Sequence, residues 1–247
     1  MARSVRDLIL TALIAATLAA CAAGDNKPPA GNRTTTTTTA AAVPAPVVQV
    51  PASSPTLPSA ERSARRVILN GLDLTGVGYD QGSPSAPIVM VEFSDFACPY
   101  CGSYARQTLP ALEREFIATG KVFYKAIPIV MGFPNGDRAA RAAECAADQG
   151  KFWTMHDRLF AGQKEWRNIR DPAPVYTGYA KELGFNAASL AACLTDGRTN
   201  SRTQRATYIA HTLGIRATPT FVINGQGIEG ALPLEIFRQI LTEHPAK

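Results

Sequence analysis

Residues 88 to 104 read Ile-Val-Met-Val-Glu-Phe-Ser-Asp-Phe-Ala-Cys-Pro-Tyr-Cys-Gly-Ser-Tyr, and no other stretch constrains the chain as much. An apolar, β-branched run, patterned for a strand buried on both faces, passes straight into a Cys-x-x-Cys pair that opens a helical pattern. Pro99 suits the first helical position, because the N–H it lacks would be unpaired there and its φ is already helical. Cys98 then lies beside unpaired backbone N–H groups and the positive end of the helix dipole, and both favour thiolate over thiol. Such sites have thiol pKa values of about 3.5 to 7.5. Cys101, one turn further in, is shielded and suited to resolving a mixed disulfide formed at Cys98. The pair reads as a reversible two-electron switch.

Half of a zinc site has the same spacing. No second Cys-x-x-Cys accompanies it, and His156, His211 and His244 are isolated, so no metal and no cofactor is expected. Strand, Cys-Pro-Tyr-Cys and long helix are followed far downstream by Ala217-Thr218-Pro219-Thr220-Phe221-Val222-Ile223-Asn224-Gly225. This combination resembles the DsbA family of thiol-disulfide oxidoreductases, within the thioredoxin superfamily, over residues 84 to 244. The resemblance implies an α/β chain, a thioredoxin fold with an inserted α-helical domain.

Turn and cap residues divide the rest of the chain. Gly71, Gly76, Gly78 and Gly82 punctuate a strand or hairpin lead-in over 67–82, and Pro84 and Pro87 precede the central strand. The helix from Pro99 is expected to run to Thr119, end before Gly120 and kink at Pro110. Lys121 to Val130 reads as a strand. Between Gly136 and Gly214 the apolar spacing is helical, with Phe152, Met155, Leu159 and Phe160 on one face. Helices are expected over 137–149, 152–160, 173–184, 187–195 and 199–213. A hairpin around Asn224-Gly225 and a helix over Leu234–Leu241 follow. The domains are therefore a thioredoxin-like first half (63–135), a helical insertion (136–214) and a thioredoxin-like second half (215–247). Trp153, Trp166 and Tyr176, in the insertion, are assigned to core.

The N-terminus reads as a leader. Arg3 and Arg6 precede an apolar run from Leu8 that ends Leu18-Ala19-Ala20-Cys21, which resembles a bacterial lipobox. Residues 1–20 are then a signal peptide and Cys21 is the lipidated first residue. An ordinary secretory signal cut nearby is the alternative. A run of about 13 apolar residues falls short of the roughly 20 that span a bilayer. Residues 21–62, rich in Thr, Pro and Ala with six threonines at 34–39, cannot bury enough surface to order themselves and read as a tether. The formal charge is +5; without residues 1–20 it is +4, from 23 basic and 19 acidic residues, too mild and scattered for nucleic acid.

Five cysteines is an odd number, and setting Cys21 aside leaves four, which allow three connectivities. The resemblance implies a second bridge between Cys145 and Cys193, as some family members have in their helical part; two unpaired buried thiols are the alternative. It also implies that Glu92 is the buried acid that relays protons to the resolving cysteine, against a strand-end glutamate on a solvated face. Asp95 is the weaker candidate. For Thr218-Pro219 it implies a cis bond facing the cysteines, where an extended substrate peptide pairs; an ordinary trans proline at a strand start is the alternative.

The implied activity is oxidation of thiols in exported proteins at Cys98/Cys101, at the extracytoplasmic face of a bacterial membrane. The expected protein is a lipid-anchored monomer reoxidised by a quinone-linked membrane partner. A reductase or isomerase of the same fold, and a tethered Cu(I) chaperone with Met131 or Met155 as the nearest further soft ligand, are the alternatives.

Overall fold

The computed structural model describes residues 65–243. The expected leader, Cys21 and the tether lie outside them, as does His244. The described chain begins with a small hairpin, β1 (Ile68–Leu69) and β2 (Leu72–Asp73), turned by Asn70 and Gly71 at positive φ. It continues into β3 (Tyr79–Gln81) and β4 (Ile88–Ser94). Gly78 is required where β3 starts: its φ is +73°, and a Cβ there would lie 2.3 Å from the Ala126 carbonyl oxygen.

From β4 the chain enters α1 (Pro99–Gln107), α2 (Leu109–Leu112) and a π-helical turn (Glu113–Ile117). The expected single helix is thus divided, and the break falls at Thr108 rather than at Pro110. A proline disturbs the turn before it, by withholding its own N–H and by pressing its ring on the carbonyl four residues back. Gly120 follows at φ +74°, and β5 (Val122–Pro128) returns beside β4.

Six helices separate β5 from the closing hairpin: α3 (Gly136–Ala147), α4 (Phe152–Ala161), α5 (Gln163–Trp166), α6 (Ala173–Glu182), α7 (Ala187–Asp196) and α8 (Asn200–Thr212). Five match the helical patterns within two or three residues. The four-residue α5 is too short for periodicity to mark. The last elements are β6 (Thr220–Ile223), β7 (Gln226–Glu229) and α9 (Leu234–Glu243). Asn224 and Gly225 both have positive φ, which a two-residue hairpin loop of this twist requires.

The five-stranded sheet has the order β3-β5-β4-β6-β7, with β4 parallel to β5 and every other pair antiparallel. Alternation along the central strands divides two cores. Met90, Tyr124, Phe221 and Ile223 pack with Tyr104, Leu112, Phe237 and Leu241 of the helices on one face. Val91, Phe93, Phe123 and Ile127 pack with Val67, Leu74, Ala206 and Ile209 on the other. Each fully buried Phe or Leu stabilises the fold by about 1.5 to 3 kcal/mol. Glu92, in phase with Met90, is thereby committed to the α1 side.

The helices have a third core, in which the alanines of α3 let α4 approach closely and Trp166 and Tyr176 are buried. A disulfide joins Cys145 of α3 to Cys193 of α7. Beside it the Tyr79 hydroxyl donates to Glu144 at 2.5 Å, and Arg202 of α8 bonds Glu144 at 3.2 Å and Asp148 at 2.7 Å. A carboxylate buried this deeply is tolerable because a tyrosine and a guanidinium both donate to it.

Candidate active site

The end of β4, the start of α1 and the loop before β6 meet at Cys98. Cys98 is the N-cap of α1, with extended backbone, and Pro99 follows at the first helical position. Both cysteines are free thiols and buried, 1% and 0% exposed, whereas Tyr100 between them is 68% exposed. The Cys98 thiol donates to the Thr218 carbonyl at 3.2 Å, and the Thr218–Pro219 peptide bond is cis. The loop before β6 therefore lies against the sulfur, with the Thr218 hydroxyl buried and without a partner among the described residues.

The two thiols differ sharply in acidity. Cys98 is lowered to about 6, first by a hydrogen bond from Cys101 and then by Thr218 and the backbone N–H groups of Cys101 and Tyr100, against the opposing effect of burial. Cys101 is held well above the ordinary thiol range by burial, by the Cys98 charge and by that of Glu92. One sulfur is thus an anion near neutral pH beside a partner that keeps its proton, the division needed for sequential attack and resolution.

Glu92 lies beneath the pair, 1% exposed. It accepts the Tyr124 hydroxyl, while its Oε1 and the Tyr104 hydroxyl have no partner among the described residues. Burial raises its pKa, and the Tyr124 hydrogen bond only partly opposes this. The structure therefore brings together Cys98, Cys101, Glu92, Thr218 and Pro219. The Cys145–Cys193 bridge belongs instead to the helical core.

Three contributors carry no signal in the sequence. Gln163 of α5 donates to the carbonyls of Phe96 at 2.7 Å and Cys98 at 2.8 Å, holding the loop that carries the reactive sulfur. Arg106 of α1 donates to the Phe160 carbonyl at 2.7 Å, and the Nη1 of that guanidinium and Gln163 Oε1 would lie 2.7 and 2.8 Å from a Cβ on Gly102. Tyr124 reads only as one more apolar strand residue. A lone glutamine 65 residues from its target could be found only by folding the chain.

A family model described as thioredoxin matches residues 75–243. Wolbachia pipientis α-DsbA1 superposes with a TM-score of 0.59 at 22% identity, covering 66% of this chain and 88% of that one. Oxidised BdbD from Bacillus subtilis gives 0.58 at 22%, covering 66% and 90%, and the catalytic domain of Proteus mirabilis ScsC gives 0.54 at 25%, covering 68% and 89%. The curated relatives include Na(+)/H(+) antiporters from several bacteria. NhaA 3 of Salinispora tropica is 36% identical over 157 residues, and NhaA 1 of Salinispora arenicola is 35% identical over 164. The match takes in 63% and 66% of this chain but spans only 23% and 24% of those antiporters. Among the described residues no helix is long and apolar enough to cross a membrane.

Proposed function

The chain belongs to the thioredoxin family and has the fold of DsbA-type proteins, and on that premise we propose that it is a thiol-disulfide oxidoreductase working at Cys98/Cys101 as an oxidant of exported proteins. The observation that carries the reading is the division of acidity between two buried sulfurs three residues apart, Cys98 lowered to about 6 and Cys101 raised. A stabilised Cys98 thiolate is a good leaving group, which makes the disulfide form oxidising.

The steps balance as two successive exchanges. A client thiolate attacks Cys98 of the Cys98–Cys101 disulfide; the client–Cys98 bond forms, and the electron pair of the broken bond goes to Cys101. Glu92, buried beside Cys101, supplies the proton that neutralises that sulfur. A second client thiolate then attacks the client sulfur, releasing Cys98 as thiolate. The client has lost two electrons and the cysteine pair has gained them. The Thr218 carbonyl, beside the cis Pro219, holds the client backbone in strand-like pairing during the exchange.

The pair must then pass two electrons to an acceptor, for which a quinone-linked membrane protein has the right chemistry. Lipidation at Cys21 after removal of residues 1–20 would hold the protein at the outer face of the membrane, with residues 21–62 joining the anchor to the domain.

The test is the reduction potential of the Cys98/Cys101 pair in the full chain, equilibrated against glutathione. A value at or above about −180 mV is expected, and one near −270 mV would reverse the direction to reduction. Cys101→Ala should accumulate mixed disulfides with clients while Cys98→Ala forms none. Trapping by Cys98→Ala instead would invert the order of the sulfurs.

A further inference from the structure

Asp95 is an ionisable group against the reactive loop that the exchange steps leave unused. It is 0% exposed. Its Oδ1 accepts the Ala97 N–H at 2.8 Å and its Oδ2 accepts the Met131 N–H at 2.7 Å, so that one carboxylate joins the Cys98 loop to the segment after β5. Its main-chain oxygen accepts the Cys98 N–H at 3.0 Å. The segment after β5 is anchored in turn to α8, where Val130 N–H meets the Thr207 hydroxyl at 3.1 Å. From the third side Gly136 closes over the carboxylate: a Cβ there would come within 2.6 Å of Oδ1. The group is held in place from three directions.

Two N–H donors leave a carboxylate with several lone pairs unused. Burial raises Asp95 to about 6, against those two hydrogen bonds. The charges that face it add to this effect: Cys98 from its own loop and Asp137 from α3 both disfavour its ionisation. Arg141, also on α3, lies 3.7 Å from Asp137 and offsets part of that charge. The segment after β5 presents the Met131 N–H. Glu92, by contrast, lies on the α1 face of β4 beneath Cys101 and acts on the other sulfur.

We propose that Asp95 is a positioning residue whose charge opposes that of Cys98: it fixes the reactive loop through the Ala97 and Met131 N–H groups and, once ionised, makes the Cys98 thiolate harder to form. The effect is reciprocal, because an interaction free energy between two ionisations acts equally on both. In the disulfide form Cys98 bears no charge, and Asp95 ionises at lower pH. In the dithiol form each ionisation raises the pKa of the other, and the two protons leave in successive steps that belong to the pair. The inference rests on Cys98 being the reactive sulfur of the proposed exchange, but its readout is protonation and does not require a client or a direction of electron flow.

The experiment uses the full-length protein. The amide proton shifts of Ala97 and Met131, which report the carboxylate they bond, are followed against pH in the disulfide and dithiol forms. The midpoint in the disulfide form should lie below that in the dithiol form, and coincident midpoints would overturn the proposal. Thiolate absorbance near 240 nm is then titrated in the wild type and in Asp95→Asn, which preserves size and removes charge. The acid dissociation constant of Cys98 should rise about 3- to 10-fold in the variant, as expected for removal of a like charge at close range. An unchanged or smaller constant in a variant that melts normally would also overturn it, because a clamp without a charge effect gives that result. If Asp95→Asn does not fold, the wild-type midpoints alone decide. A potential in the reductant range would sink the proposed direction of exchange and leave these titrations unaffected.

Discussion

The Cys98 sulfur and the Thr218 carbonyl oxygen are 120 residues apart in sequence and 3.2 Å apart in space. The contact ties the start of α1 to the loop before β6, so the acidity of Cys98 depends on a segment laid down only after the whole helical insertion. The Thr218 hydroxyl, buried beside the same sulfur, is one of the groups that lower its pKa.

Thr218→Val keeps the backbone carbonyl and the shape while removing that hydroxyl. A hydrogen bond to a charged group contributes about 1.5 to 3 kcal/mol, and roughly 1.4 kcal/mol corresponds to one pKa unit. Cys98 should therefore titrate about one unit higher in the variant and the pair should become less oxidising, as read by thiolate absorbance and by equilibration with glutathione. Thermal stability of the dithiol form should fall at neutral pH by about 1.4 kcal/mol, the equivalent of that one unit, and stay unchanged below pH 6, where Cys98 keeps its proton.

Glu92→Gln should change the pH dependence of stability in a fixed direction. Burial raises the folded-state pKa of Glu92 above its ordinary 4.5, so the folded protein binds more protons than the unfolded chain above that pH. Its contribution is therefore greatest below pH 4.5 and is lost as pH rises through the raised value. Denaturant titrations should show the variant losing less stability than wild type between pH 4.5 and neutrality. Single-turnover exchange should slow by about 10²-fold if the carboxylate transfers the Cys101 proton. An unchanged rate would leave Glu92 as a structural acid only.

The Cys145–Cys193 bridge closes a loop with a sequence separation of 48. In the chain-entropy model such a loop stabilises by about 4 kcal/mol, and measured bridges more often give 2 to 4. Replacing both cysteines by alanine should cost that much in urea unfolding. Since the bridge joins α3 to α7, neither of which carries a cysteine of the pair, the reduction potential of the Cys98/Cys101 pair should stay close to the wild-type value.

Gln163→Leu removes the side-chain hydrogen bonds to the Phe96 and Cys98 carbonyls. The Cys98 carbonyl keeps the Gly102 N–H at 3.1 Å, whereas the Phe96 carbonyl loses its donor, at a cost of about 1 to 3 kcal/mol. The variant should melt lower, and hydrogen exchange at the amides of residues 96 to 102 should speed up more than at α9.

Much of the architecture was legible because it is written locally. The Cys-Pro-Tyr-Cys stretch carries its own helix start, the run at 88–94 its own strand and Asn224-Gly225 its own turn, and all three elements lie where those patterns put them. The break in the first helix fell at Thr108 because proline acts on the turn that precedes it, and the π-helical turn at Glu113–Ile117 left no mark in residue spacing. The surroundings of the site were harder to read. Asp95 ranks below Glu92 on sequence, since nothing local shows that Met131 and Gly136 will close on it. Gln163 and Tyr124 are ordinary residues until the insertion and the sheet bring them to Phe96, Cys98 and Glu92.

The helical insertion is not an accessory to a self-sufficient thioredoxin frame in this chain, because Gln163 holds the loop that carries the reactive sulfur. A truncated version consisting of the sheet and its flanking helices would retain both cysteines, the cis proline and Glu92, yet lose the amide that secures the carbonyls on either side of Ala97 and the Phe160 carbonyl that anchors Arg106. The reactive motif is consequently not a portable cassette. Transplanting Cys-Pro-Tyr-Cys into a bare thioredoxin scaffold would transfer the sulfurs without the buttress that sets their geometry, and designs built on this protein need to keep α4 and α5 with it.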